Sequence, residues 1–204
     1  MTYQTQTYEW LTPLTEDTRH QVVSQIADIS RTCYKSKGDG AERDVKLVKH
    51  IVKSGHHAML EHVTVSCRIW TDRAIANELE RHRMASFAQE STRYCRYMGG
   101  INTVMPMGLT HEQEAIVLRA YDAADQAYAE LLETGATAEK SRSVLPLGLL
   151  TELVITANLR EWLHIIDLRS HGTTGKPHPM IQDLVGRMEQ DLVKWLPEVF
   201  GNAN

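Results

Sequence analysis

A chain of 204 residues, 42% hydrophobic and 24% charged, has the composition of an ordinary globular protein, which excludes a disordered or fibrous architecture and lets a core form without disulfides or metals. A net charge of −4 removes any general long-range attraction to nucleic acid, although a local basic patch can still hold a small anion. Cys33, Cys67 and Cys95 are odd in number and lack Cys-x-x-Cys spacing, so a disulfide framework is not expected and a reducing, cytoplasmic setting is. Met1 to Leu14 lacks the basic start and apolar run of a secretory signal, and no stretch is apolar for long enough to span a bilayer.

One compact domain over 1–204 is expected. Tyr3 to Trp10 alternates loosely and ends near Pro13. Thr15 or Asp17 then caps a helix to about Tyr34, with Val22, Val23, Ile26 and Ile29 on one side. Glu42 to Ser54 predicts a second helix stopped by Gly55, and His62 to Trp70 predicts a half-buried strand with Val63, Val65, Cys67 and Ile69 inward. Thr71 or Asp72 caps a short helix to about Arg81, and Arg81 to Tyr97 reads as polar and irregular. Thr110 to Glu133 is the longest helical pattern, with Ala115, Leu118, Tyr121, Ala124, Tyr128 and Leu131 as its buried stripe. Beyond Gly135 come a short helix to about Val144, a strand over Leu149 to Ala157, a helix over Leu159 to Leu168 started by Asn158, a Gly- and Pro-rich loop over Ser170 to Pro179, and a last helix from Met180 to about Trp195. The fold class is α+β, helix-dominated, with a small mixed or antiparallel sheet.

The densest chemistry lies in Arg81 to Tyr94, where three arginines, a histidine, two serines and a threonine fall within fourteen positions. Guanidinium forks match phosphate oxygens two at a time, and hydroxyls and backbone N–H groups complete an oxyanion cradle, so a phosphorylated ligand is the physical inference. A solvated charge run paired with Glu78, Glu80 and Glu90 is the plain alternative.

The spacing Arg81-His82-Arg83, seven residues, Ser91-Thr92-Arg93 resembles the signature of the flavin-dependent thymidylate synthases. Gly55-His56-His57-Ala58-Met59-Leu60-Glu61-His62, Arg142-Ser143-Val144-Leu145-Pro146-Leu147 and Asn158-Leu159-Arg160 through His164 to Arg169 resemble other blocks of that family, in the same order. The resemblance implies a homotetramer with active sites shared between subunits, FAD as cofactor, and methylation of dUMP to dTMP with methylenetetrahydrofolate as one-carbon donor and NADPH as reductant. It implies that Arg81, His82, Arg83, Gln89, Asn158, Leu159, Arg160 and His164 hold FAD, with Glu61 and His56 near the flavin and Ala58 in contact through its backbone. It places dUMP on Glu78, Arg81, Gln89, Glu90, Ser91, Thr92, Arg93 and Arg142, with Arg169 as the catalytic residue at the uracil. Making uracil C5 nucleophilic builds negative charge at N3 and O4, which a fixed guanidinium stabilises. Ser91 is a ligand rather than a nucleophile, since an unassisted serine lacks the base it needs.

Ala58 stands where relatives often place Ser or Thr, Met59 where they place Pro, and Glu78 where many place Gln. No metal is expected: His56, His57 and His62 lack a companion Cys pair or a His-Glu-x-x-His helix. Cys95 is read as a small buried side chain, and Met84, Met98, Met105 and Met107 as packing residues. Salt bridges from Arg160 and Arg169 to Glu161 or Asp167 are the ordinary alternative to function on that helix. A single-stranded nucleic-acid-binding module using Phe87, Tyr94 and Tyr97 among the basic residues is the competing reading, against which stand the acidic total and the lack of an RNA-binding pattern.

Overall fold

A computed structural model describes residues 2–38 and 40–201. The elements in chain order are β1 (Thr2–Gln4), β2 (Thr7–Trp10), α1 (Glu16–Thr32), α2 (Ala41–Lys53), a 3-10 turn (His57–His62), β3 (Thr64–Asp72), α3 (Arg73–Leu79), β4 (Ala85–Gln89), β5 (Asn102–Val104), α4 (His111–Glu133), α5 (Ala138–Ser141), a 3-10 turn (Arg142–Val144), β6 (Leu150–Asn158), α6 (Leu159–Ile166), a π turn (Asp167–His171), α7 (Pro179–Trp195) and α8 (Pro197–Phe200). Strands β1 and β5 pair in parallel, and a second sheet has the order β2-β3-β6-β4. The class is the expected helix-dominated α+β.

The chain divides into two compact units. The first is built from Met1–Glu9, Arg68–Arg81 and Phe87–Ile155, the second from Trp10–Cys67, His82–Ser86 and Thr156–Asn204. In the second unit α1 starts at Thr15, which forms a reciprocal capping box with Thr18. Helix α1 packs on α2, and Arg31 meets Asp44 between them at 2.5 Å. Helix α8 packs on α2 and α7, and its buried Glu198 takes Arg19 of α1 at 2.5 Å. Burial pushes the Glu198 carboxyl up, but the Arg19 guanidinium outweighs that and holds it below the usual range. Trp162 is buried to 1% exposure, donates Nε1–H to the Val65 carbonyl at 3.1 Å and meets Trp10 edge-on at 5.4 Å. Fully burying an apolar side chain of this kind stabilises the fold by about 1.5–3 kcal/mol.

In the first unit Asp72 accepts from the Ile75 N–H at 2.7 Å and starts α3 directly where β3 ends. Helix α4 starts at Thr110 with Gln113 completing its capping box. Only Tyr121 and Tyr128 of its expected stripe are buried: Leu118, Ala124 and Leu131 are half-buried and Ala115 is exposed, because the helix packs through a narrower seam than its apolar pattern offers. Tyr121 lies over Gly148 so closely that a Cβ there would stand 1.8 Å from the phenol oxygen, so this contact requires glycine.

Three further expectations change. Arg81 to Tyr97 is not wholly irregular: β4 occupies Ala85–Gln89, its half-buried Ala85, Phe87 and Gln89 alternating with exposed Ser86 and Ala88. The helix expected to Leu168 leaves α geometry at Ile166. Just beyond the end of α7, Pro197 opens the short α8, since proline suits a first helical position. Cys95 is half-buried rather than buried. No helix of the described residues is long and apolar enough to cross a membrane.

Replacing Asp72 by Ala removes the cap of α3, and the variant should lose about 1–2 kcal/mol in urea unfolding. Unchanged stability would show that the β3-to-α3 junction does not depend on that carboxylate.

Candidate functional site

The second unit gathers its polar groups where β6 ends. Asn158 closes β6, and its side chain accepts from the Glu161 N–H at 2.9 Å, so α6 begins without a connecting loop. Helix α6 buries Leu159, Glu161, Trp162, Leu163, Ile165 and Ile166 and leaves Arg160 and His164 exposed. It runs into the π turn Asp167–His171, closed by Gly172 in the left-handed region at φ +69°. A π turn inserts one residue relative to α-helical winding, which re-aims the side chains that follow it. Three contacts to α7 hold it: Ser170 Oγ donates to Glu189 at 2.6 Å, His171 Nε2 lies 2.8 Å from the same carboxylate, and Gln182 Nε2 donates to the Ser170 carbonyl at 2.9 Å.

Arg169, on that turn, donates its Nε–H to Nε2 of His82 at 3.0 Å. His82 is 4% exposed, and its Nδ1 lies 3.4 Å from Oε1 of Glu161. The His164 ring meets it edge-on at 5.7 Å. Burial first, then the positive charge of Arg169 and the neighbouring His164, lower the His82 pKa to about 4, so the imidazole is neutral at physiological pH. Burial also pushes the Glu161 carboxyl upward, with His164 acting the other way.

Beside these residues opens a cleft of about 490 Å³ lined by His57, Glu61, Met84, Asn158, Arg160, Glu161, Leu163, His164 and Asp167. Four of the expected cofactor residues meet there: Glu61, Asn158, Arg160 and His164. Ala58 and Arg83 do not line it, Leu159 is fully buried in the core, and His57 rather than His56 reaches it. Arg160 pairs with Glu61 at 2.5 Å, not with Glu161 or Asp167. Glu161, Leu163, Asp167, His57 and Met84 are additions. Glu161 was legible in principle, because it stands four residues before Ile165 on the buried side of α6.

The first unit contains Glu78, Arg81, Gln89, Glu90, Ser91, Thr92, Arg93 and Arg142. Gln89 ends β4, and a turn follows in which the Tyr94 and Cys95 N–H groups donate to the Ser91 carbonyl at 3.1 and 2.9 Å. Sequence reasoning missed Arg73. Its guanidinium reaches the Glu90 carbonyl and Thr151 Oγ1, each at 3.4 Å, and the Gln89 side-chain carbonyl at 3.3 Å. That contact fixes the Gln89 amide with its oxygen spent, and its nitrogen is buried with no hydrogen-bond partner among the described residues. A buried unspent donor is costly and suits an acceptor on a ligand. Tyr97 donates to Glu90 at 2.9 Å, and burial followed by that carboxylate raises the tyrosine pKa. Arg93 lies 3.1 Å from Glu139 and 5.4 Å from the Tyr94 ring, Thr92 is buried, Glu78 is half-buried, and Arg81 and Arg142 are exposed.

His56, His57 and His62 do not converge as a cation site among the described residues. Ligand-type atoms of His82, Glu161 and His164 lie within 4.8 Å of one another, but the guanidinium of Arg169 on His82 opposes a divalent cation in that space.

Compared with known proteins, residues 14–198 match the family model described as thymidylate synthase complementing protein. The chain belongs to this family. It is 33% identical over 155 residues to a flavin-dependent thymidylate synthase of Geobacter sulfurreducens, covering 71% of this chain and 67% of that one. It is 34% identical over 161 residues to a protein of the same name from Mycolicibacterium gilvum, covering 69% of this chain and 64% of that one, so the match spans about two thirds of these relatives. Its fold is that of a crystal structure of the UMP/dUMP methylase PolB from Streptomyces cacaoi bound with 5-Br dUMP, with a TM-score of 0.80 at 22% identity over 98% of this chain and 96% of that one.

The lowered His82 pKa has a signed consequence. Between its ordinary 6.5 and about 4, the unfolded chain binds a proton that the folded chain refuses. The stability contributed by neutral His82 is therefore complete above 6.5 and is lost as the pH falls towards 4. Urea midpoints should drop through this window, and His82→Gln should flatten the drop; an identical slope in the variant would place the titration elsewhere.

Proposed function

We propose that this chain is an FAD-dependent thymidylate synthase that methylates dUMP to dTMP, with methylenetetrahydrofolate as one-carbon donor and NADPH as reductant. Residues 1–204 would form one such domain, working in the cytoplasm as a homotetramer whose active sites draw on several subunits. The observation that carries the reading is the guanidinium of Arg169, set on a π turn and bonded through Nε to a buried neutral imidazole.

The cleft beside α6 fits part of a flavin. Its Glu61–Arg160 pair, Asn158 and His164 offer hydrogen bonds, while Met84 and Leu163 offer apolar surface, a mixture suited to the ring and sugar. With three carboxylates against one guanidinium in its lining, the pyrophosphate is better assigned to exposed Arg81 and Arg83. Bound flavin would supply transfer of the one-carbon unit and of reducing equivalents. Ala58, His82, Gln89 and Leu159 complete the proposed cofactor set, Ala58 and Leu159 through their backbones.

For dUMP, the amide nitrogen of Gln89 supplies a pre-aimed donor and Arg73 holds it there. Ser91, Thr92 and Arg93 in the turn after β4, with Arg81 and Arg142, supply donors for phosphate and sugar, while Glu78 and Glu90 are suited to sugar hydroxyls. Arg169 stabilises negative charge on the uracil as C5 becomes nucleophilic. Of the aromatic groups in the basic stretch, Phe87 is half-buried in β4 and Tyr97 packs on Tyr128 at 5.7 Å, which leaves Tyr94 as the exposed ring of the three, too little for a base-stacking platform.

The visible spectrum of FAD-supplemented, desalted protein, taken anaerobically before and after NADPH, tests the reading. A retained flavin band that bleaches faster with dUMP is expected, and protein that retains no flavin would overturn it. Arg169→Lys should keep the fold and flavin but lower dTMP formation by about 100- to 1000-fold, because one ammonium cannot replace the planar fork. Near-normal turnover would remove Arg169 from the chemistry.

A further inference from the structure

His82 can accept the Arg169 Nε–H only through an unprotonated Nε2, and a neutral imidazole has then to carry its proton on Nδ1. That nitrogen faces Oε1 of Glu161 at 3.4 Å, on the buried side of α6. The carboxylate is acceptor-only when ionised, so it favours the tautomer that leaves Nε2 open. Removing the acceptor frees His82 to take the opposite tautomer, which would point an N–H at the Arg169 N–H and break the contact. Glu161 itself is held by two features of the junction: its own N–H bonds to Asn158, and its side chain is 9% exposed.

We propose that Glu161 is a positioning residue for Arg169, acting through His82 by fixing the imidazole as its Nδ1–H tautomer. The three groups form a linear relay, Glu161 to His82 to Arg169, in which no proton needs to move and only orientation is transmitted. This rests on the reading of Arg169 as the group at the uracil. Loss of the relay leaves the guanidinium present but misaligned, so it acts on the chemical step more than on binding.

The test combines a spectroscopic and a kinetic readout on the flavin-loaded protein. Nitrogen-15 histidine spectra of the wild type at neutral pH should show His82 as the Nδ1–H tautomer. In Glu161→Met the signal should move to the Nε2–H tautomer, with flavin retained, kcat for dTMP formation about 10- to 100-fold lower and KM for dUMP changed less than about threefold. Glu161→Gln, which keeps a neutral acceptor, should recover part of the loss. In a His82→Ala background the Glu161→Met change should cost nothing further, because the intermediary is gone. A wild-type His82 found as the Nε2–H tautomer or as imidazolium would overturn the inference without any variant, as would an equal Glu161→Met penalty in the His82→Ala background. Wild-type protein that binds no flavin or makes no dTMP would count against the proposed activity, and the tautomer spectrum would still decide the relay.

Discussion

The two strand-to-helix junctions, each sealed by one short side chain, set the geometry of the polar groups around Arg73 and around Glu161. Strands β3 and β6 are both nine residues long, and each passes into a helix with no loop between. Asp72 and Asn158 make this possible by leaving their backbones extended while their side chains accept the N–H three residues on. A helix started this way inherits its direction from the strand, so residues placed early on it are placed accurately. Arg73 directs Gln89 from one such helix, and Glu161 directs His82 from the other.

Much of the fold was legible because periodicity and capping agree in these segments. Val63, Val65, Cys67 and Ile69 alternate inward in and just before β3 as their spacing requires, and Thr15, Asp72, Thr110 and Asn158 start helices as their side chains allow. Strand β4 escaped because Ala85 to Gln89 is short and does not alternate polar with apolar residues, Ser86 and Gln89 being three apart, so its own composition does not mark it as a strand. The stripe of α4 was overcounted for the opposite reason: an apolar pattern states what a helix can bury, not what is present to cover it.

The candidate site could be proposed from sequence where a residue type stands in a dense run, as at Arg81 to Arg93, and less so where it depends on who touches whom. Arg73 looked like a first-turn helix residue, and Glu161 like a surface ion-pair partner of Arg160. Their roles come from tertiary contacts: Arg160 turns out to Glu61, and Glu161 turns in to a buried imidazole. Burial decides the matter for His82, whose charge is suppressed so that it can accept a hydrogen bond from a cation instead of repelling it.

The π turn at Asp167–His171 ends the helical segment that α6 begins, and Gly172 closes it. Residues on α6 follow the α-helical phase, and those of the wider turn are rotated away from it. Arg169 lies within the π turn, so the backbone sets where its side chain starts and the contact with His82 sets where its guanidinium points. Ser170 and His171, anchored together on Glu189, tie the end of that turn to α7.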